Sequence, residues 1–127
     1  MLTLTLLLPH GALAQTDQRP YDEPLLRLSE VLGSIHYLRA LCGHEDGQTW
    51  RLHMEELLTA EGSTPRRRAV LAQRFNQGYR NYSRTYRRCT VSAKAALQRF
   101  LEDALTNVAS IQDTGRPARR PTLDQRR

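Results

Sequence analysis

Apolar residues recur three and four positions apart along most of the chain, and nowhere alternate with polar ones long enough to make a strand. Leu28, Val31, Leu32, Ile35 and Cys42 fall on one face of a first helix, which Asp22 can cap, with Pro24 in its opening turn and Gly43 at its end. A polar loop holding Asp46 and Gly47 leads to a short second helix, with Trp50, Met54, Leu57 and Leu58 on its apolar side and Gly62 as its stop. Thr64-Pro65 opens a third helix, a cap residue followed by proline at the first helical position. Its stripe is Phe75, Tyr79, Tyr82, Tyr86 and Cys89, and a fourth stripe follows in Ala93, Leu97, Phe100, Ala104, Val108 and Ile111. These two stripes stay in helical phase across Cys89, so one bent helix is an alternative to two. A break is favoured, because Thr90-Val91 are both β-branched and weaken a helix, and Thr90 or Ser92 can cap a new one.

Short loops between amphipathic helices favour antiparallel neighbours. The pattern over residues 15–114 therefore predicts an all-α fold, a small antiparallel bundle of about four helices. In an up-down-up arrangement the C-terminal ends of the first and third helices lie together, and Cys42 and Cys89 stand at those two ends.

Residues 1–14 follow a different pattern. Leu2 to Leu8 are almost wholly apolar, Pro9, His10 and Gly11 break the run, and Ala12-Leu13-Ala14 follows. An apolar core, a breaker and a small-x-small cleavage site make the layout of a secretory signal peptide, with the exported protein beginning at Gln15. The alternative is a buried N-terminal segment of the fold. The positive segment that normally precedes such a run is missing, since only Met1 stands before it, which points to a true start upstream. The run is far shorter than the roughly 20 residues a spanning helix needs, and no later stretch is apolar enough to span a membrane. Export to an oxidising compartment makes Cys42 and Cys89 a disulfide candidate, against the alternative of two buried thiols. Closing a loop of about 48 residues restricts the unfolded chain by about 4 kcal/mol, a large share of a domain stability of about 5–15 kcal/mol.

The net charge of +6 suggests nucleic acid until it is divided along the chain. Residues 115–127, rich in arginine and proline and without apolar period, read as a disordered tail and carry five Arg and one Asp. Residues 15–61 hold nine acids and four Arg, residues 62–101 ten bases and no acid, and residues 102–114 three acids. A basic third helix beside acidic neighbours can neutralise itself within the fold, or it can offer a basic face to an anionic partner. On a helical wheel of about 100° per residue, Phe75, Tyr79, Tyr82, Tyr86 and Cys89 cluster on one side. Arg80, Arg84, Arg87 and Arg88 fall opposite. Rings turned to the core cannot serve as a base-stacking platform, so no nucleic-acid partner is expected.

Arg39 stands on the apolar stripe of the first helix between Ile35 and Cys42, where a guanidinium must pair, reach water or serve a site. Glu45, Asp46 and Glu102 are its candidate partners. His36, His44 and His53 lack the spacing that puts two ligands on one helix face, so neither a metal nor a cofactor is expected. The chain has no Gly-x-Ser-x-Gly elbow and no phosphate-binding glycine loop, and pairing of the cysteines leaves no thiol nucleophile.

Leu38-Arg39-Ala40-Leu41-Cys42-Gly43, Trp50, Arg74-Phe75-Asn76-Gln77-Gly78-Tyr79, Thr85-Tyr86-Arg87-Arg88-Cys89-Thr90 and Arg99-Phe100-Leu101 together resemble a family of small exported alphaproteobacterial proteins. That family has no assigned biochemical function. The resemblance spans roughly residues 25–112 and implies a periplasmic location and a Cys42–Cys89 pair, with no catalytic or ligand residues to carry over. The expectation is a non-enzymatic periplasmic protein whose third-helix arginines Arg80, Arg84, Arg87 and Arg88, aided by the tail, bind an anionic envelope polymer or an acidic protein. Two other readings remain open: an envelope enzyme or enzyme accessory with a site near Arg39, Trp50 and His53, and a structural subunit packing through the Tyr79–Tyr86 stripe.

Overall fold

A computed structural model of the chain describes residues 18–115. The expected leader, and the tail beyond Gly115, lie outside the described residues. Four helices follow one another, α1 (Asp22–Leu41), α2 (Thr49–Glu61), α3 (Pro65–Thr85) and α4 (Val91–Gly115), with no strand among the described residues. The all-α bundle and the break between the third and fourth helices both stand.

The helix ends follow from local chemistry. Arg39, Ala40, Gly43 and His44 close α1: the Gly43 N–H donates to the Ala40 carbonyl at 3.2 Å and the His44 N–H to the Arg39 carbonyl at 3.0 Å. This paired closure needs a left-handed residue, and Gly43 supplies it with φ +77°. At α3 the Thr64 hydroxyl accepts from the Arg67 N–H at 3.1 Å, with Pro65 next in line. At α4 the Thr90 hydroxyl accepts from the Ala93 N–H at 3.0 Å. Asp22 is not the cap of α1, because Tyr21 occupies that position and the Asp22 carboxylate is engaged elsewhere.

α1 lies at the centre, and the other three helices all pack on it. The single apolar stripe expected for it is therefore too narrow. Val31 to Ile35 are buried without interruption, and Leu25, Leu28, Ser29 and Leu38 join them. The lower half of α1 meets Met54 and Leu58 of α2 and Leu71 and Phe75 of α3. The upper half meets α4 through Ala93, Ala96, Leu97 and Phe100. α2 and α4 run antiparallel to α1, whereas α3 runs parallel to it, as the pairs Asp22–Arg67, Arg39–Asp46 and Arg27–Asp103 require.

α1 and α3 cross with their backbones in contact. A Cβ on Gly33 would stand 1.9 Å from the Phe75 carbonyl oxygen, and one on Gly78 would stand 2.0 Å from the Glu30 carbonyl oxygen. Ser29 and Ser34 are buried beside this crossing, and each hydroxyl donates back to its own helix, to the carbonyls of Leu25 and Glu30 at 3.0 Å.

α4 is rolled relative to its expected stripe. Val108 is 38% exposed while Asn107 is buried at 9%. Arg27 grips Asp103 at 2.6 Å, and the Asn107 amide donates to the Asp103 carbonyl at 2.8 Å and carboxylate at 2.9 Å. This polar tie turns positions 103 and 107 toward α1.

Arg67 closes the opposite end of the bundle. Its guanidinium forks onto Asp22, with Nη1 to Oδ2 at 3.0 Å and Nη2 to Oδ1 at 2.7 Å, while Nε donates to the Glu61 carbonyl at 2.6 Å. Arg19 and the Tyr21 hydroxyl both donate to the Glu61 carboxylate, at 3.1 and 3.0 Å. The Arg67 hydrogen bonds hold the Asp22 carboxyl below its ordinary pKa. A depressed carboxyl pKa gives stability that is present above about pH 4 and is lost as pH falls through the lowered value. Arg67→Ala leaves Asp22 without its counter-charge in a half-buried position and is expected to cost about 3 kcal/mol in chemical denaturation. It also removes this part of the acid-side slope in a pH series of unfolding midpoints. Arg67→Ala unfolding at the wild-type denaturant concentration contradicts this role.

Candidate functional site

The parallel course of α1 and α3 brings their C-terminal ends together. Cys42 and Cys89 form a disulfide there, with Cα atoms 4.9 Å apart and 47 positions between them in sequence. The chain leaves α3 at Tyr86, whose backbone is extended at φ −118° and ψ 116°. The Tyr37 hydroxyl donates to the Tyr86 carbonyl, and the Tyr86 and Ser92 hydroxyls share a hydrogen bond of 2.9 Å. The linker 86–90 is thus tied at three points. Tyr86, Arg87, Arg88 and Cys89, expected on the third helix, sit on this linker instead. The helical phase runs through them in sequence, but the cap at Thr90 and the bridge to α1 draw the backbone out of the helix.

Arg80 and Arg84 remain on the exposed side of α3, and Arg87 and Arg88 continue that surface on the linker. Arg84 borders two shallow depressions. One, of about 350 Å³, is shared with Gln73, Gln77, Arg80 and Asn81. The other, of about 340 Å³, is shared with Thr85, Tyr86, Arg87, Arg88 and Thr90. Tyr82 turns inward, edge-on to Phe100 at 4.7 Å between ring centres, while Tyr79 meets Tyr37 at 5.3 Å and stays 40% exposed.

The pairing of charges divides the arginines into two groups. Arg19, Arg27, Arg39, Arg67 and Arg74 each meet a carboxylate. Arg51, Arg66, Arg68 and Arg99 meet none among the described residues, and neither do Arg80, Arg84, Arg87 and Arg88, which lie together around the two depressions that Arg84 borders. A groove of about 700 Å³ over α1, flanked by Arg74 of α3 and by Asn107 and Ser110 of α4, belongs to the first group. Glu30 bridges Arg27 and Arg74 across it at 3.6 Å to each, which neutralises its walls.

Arg39 takes Asp46 from the candidate partners. Nε and Nη2 both donate to that carboxylate, the latter at 2.7 Å, and the Trp50 indole N–H donates to the same group at 2.9 Å. The Arg39 hydrogen bonds, and then that of Trp50, hold the Asp46 carboxyl far below the usual range. His53 meets Trp50 edge-on at 5.7 Å. Arg39, Trp50 and His53 are therefore neighbours, but the guanidinium is engaged in clamping the α1–α2 loop. His36 packs against Phe75 and Tyr79 at 5.9 and 5.7 Å, and burial pushes its pKa down. No group of three or more metal-ligating side chains occurs among the described residues, and no described helix is long and apolar enough to cross a membrane.

Arg67 and the amides Gln73, Gln77 and Asn81 were missed in sequence. Leu71 and Phe75 follow Arg67 at four-residue steps, so extending the core stripe backwards reaches it. The amides carry no charge, and among so many arginines nothing marks them until the helix wheel sets them outside.

If the Arg39 cluster is a loop clamp, Arg39→Ala and Asp46→Ala each lower the thermal midpoint by a few degrees. The double variant then falls by clearly less than the sum of the two. Additive losses contradict the clamp.

No curated protein and no solved structure matches the chain. A family model described as a protein of unknown function (DUF2385) matches residues 20–114, from just before α1 into the last turn of α4, and the chain belongs to that family.

Proposed function

We propose that the protein is a non-enzymatic component of the cell envelope that binds an anionic partner through Arg80, Arg84, Arg87 and Arg88. The observation that carries this reading is the division of the arginines. Arg19, Arg27, Arg39, Arg67 and Arg74 are each paired with a carboxylate, whereas Arg80, Arg84, Arg87 and Arg88 are exposed, cluster around two neighbouring depressions and have no counter-charge among the described residues. Fixed cations of one sign raise the local concentration of an anionic ligand and speed its encounter. The linker is tied by the disulfide and two tyrosines, so Arg87 and Arg88 are held beside Arg84 before any partner arrives. The periplasmic location rests on the leader pattern of residues 1–14, and the Cys42–Cys89 bridge accords with an oxidising compartment. The arginines of the tail add charge to the same interaction.

An enzyme site near Arg39, Trp50 and His53 is less well supported, because the Arg39 guanidinium is engaged with Asp46. A structural subunit packing through the Tyr79–Tyr86 stripe is less well supported, since Tyr82 and Tyr86 are engaged within their own chain and only Tyr79 of the three keeps an exposed ring.

The test is retention on an anionic matrix, together with a pull-down from periplasmic extract. The wild-type chain is expected to bind at low salt and to be released by about 0.5 M salt, where the screening length falls to a few ångströms. Charge reversal at Arg80, Arg84, Arg87 and Arg88 is expected to weaken retention by about tenfold or more, with helicity unchanged. Retention that survives about 0.5 M salt, or that ignores the charge reversal, contradicts the proposal.

A further inference from the structure

The exposed face of α3 carries more than charge. Gln73, Gln77 and Asn81 recur every four residues, so they stand one above another along the helix for about 12 Å. Arg80 and Arg84 run beside them with the same spacing, and all five side chains border the one shallow depression of about 350 Å³. The three carboxamides make no hydrogen bond within the described residues, so each presents a donor pair and an acceptor outward. No acidic residue occurs from 62 to 101 to repel an anion.

From this arrangement we infer that the outer face of α3 recognises an acidic glycan, a polymer bearing both carboxylates and hydroxyls. The inference rests on the arginine-surface reading above and names its ligand. The carboxylates of an acidic protein surface would engage the guanidinium groups, but as acceptors only they use the donor half of each carboxamide and leave its oxygen unmatched. A glycan uses both sets. Its carboxylates meet the planar, forked donors of Arg80 and Arg84. Its hydroxyls, which are donors and acceptors at once, match carboxamides, which are the same. The ladder is also stiff. The opposite side of α3 is held in backbone contact with α1 at Gly78, so little ordering remains to be done on binding.

The experiment titrates two polymers of matched carboxylate number, polygalacturonate and poly-L-glutamate, into the full chain at about 0.1 M salt. It repeats both titrations on Gln73→Ala/Gln77→Ala/Asn81→Ala and on Arg80→Ala/Arg84→Ala, with circular dichroism to confirm that each variant is folded. Wild type is expected to favour polygalacturonate. The amide variant is expected to lose about tenfold in affinity for it and to bind polyglutamate unchanged. The arginine variant is expected to weaken on both polymers. Equal wild-type affinity for the two polymers, or an amide variant that binds polygalacturonate like wild type, overturns the glycan assignment and leaves the arginine surface standing. Binding of neither polymer overturns both.

Discussion

The rest of the structure depends on the place where α1 and α3 touch backbone to backbone. Gly33 and Gly78 have no side chains, and the space each Cβ would occupy is filled by a carbonyl oxygen of the other helix. At this crossing the Ser34 hydroxyl also lies against Gly78, 2.8 Å from where its Cβ would stand. Once α3 lies parallel on α1, the other positions follow. α2 must return along α1 to connect them, α4 takes a remaining flank of α1, and the ends of α1 and α3 arrive together. The disulfide then joins neighbours, since Cys42 and Cys89 already stand side by side. The crossing also fixes the roll of α3, which turns Arg80 and Arg84 away from the core.

Charge is distributed to suit that arrangement. Guanidinium groups near the core are paired, with Arg67 forked onto Asp22 where α1 and α3 begin and Arg39 forked onto Asp46 where α1 ends. Leaving the buried Arg67 guanidinium without its carboxylate would cost several times what an exposed pair contributes. The second half of α3 and the following linker bury no charge, so their arginines carry no such requirement. Two arginine populations result, one that holds the bundle together and one that faces solvent. The glycan-binding proposal concerns only the second.

Much of the fold was legible in the sequence because its signals are local. Helical period marks all four elements, Thr64-Pro65 and Gly43 mark ends, and the break at Thr90 was visible in β-branching and a capping hydroxyl. The centrality of α1 was not legible. Gly33 and Ser34 lie off its apolar stripe, and only the close approach of α3 at Phe75 and Gly78 makes that side an interface. Arg67 looked like one more surface arginine, since its partner lies 45 positions away. Val108 was expected on the apolar stripe of α4, yet it is exposed while its neighbour Asn107 is buried. This roll follows from the Arg27–Asp103 tie, a contact between helices that no local pattern contains. The same blindness placed Arg87 and Arg88 on the helix when they belong to the linker.

The most direct test of the central contact is chemical denaturation of Gly78→Ala, because the sign of the effect decides. In a helix that packs with ordinary side-chain spacing, replacing an interior glycine by alanine stabilises by up to about 1 kcal/mol. With the Glu30 carbonyl oxygen 2.0 Å from the new methyl group, α1 and α3 must separate, and cores resist such insertion. The account predicts a loss of about 2–3 kcal/mol for Gly78→Ala. A variant as stable as the wild type, or more stable, would contradict it.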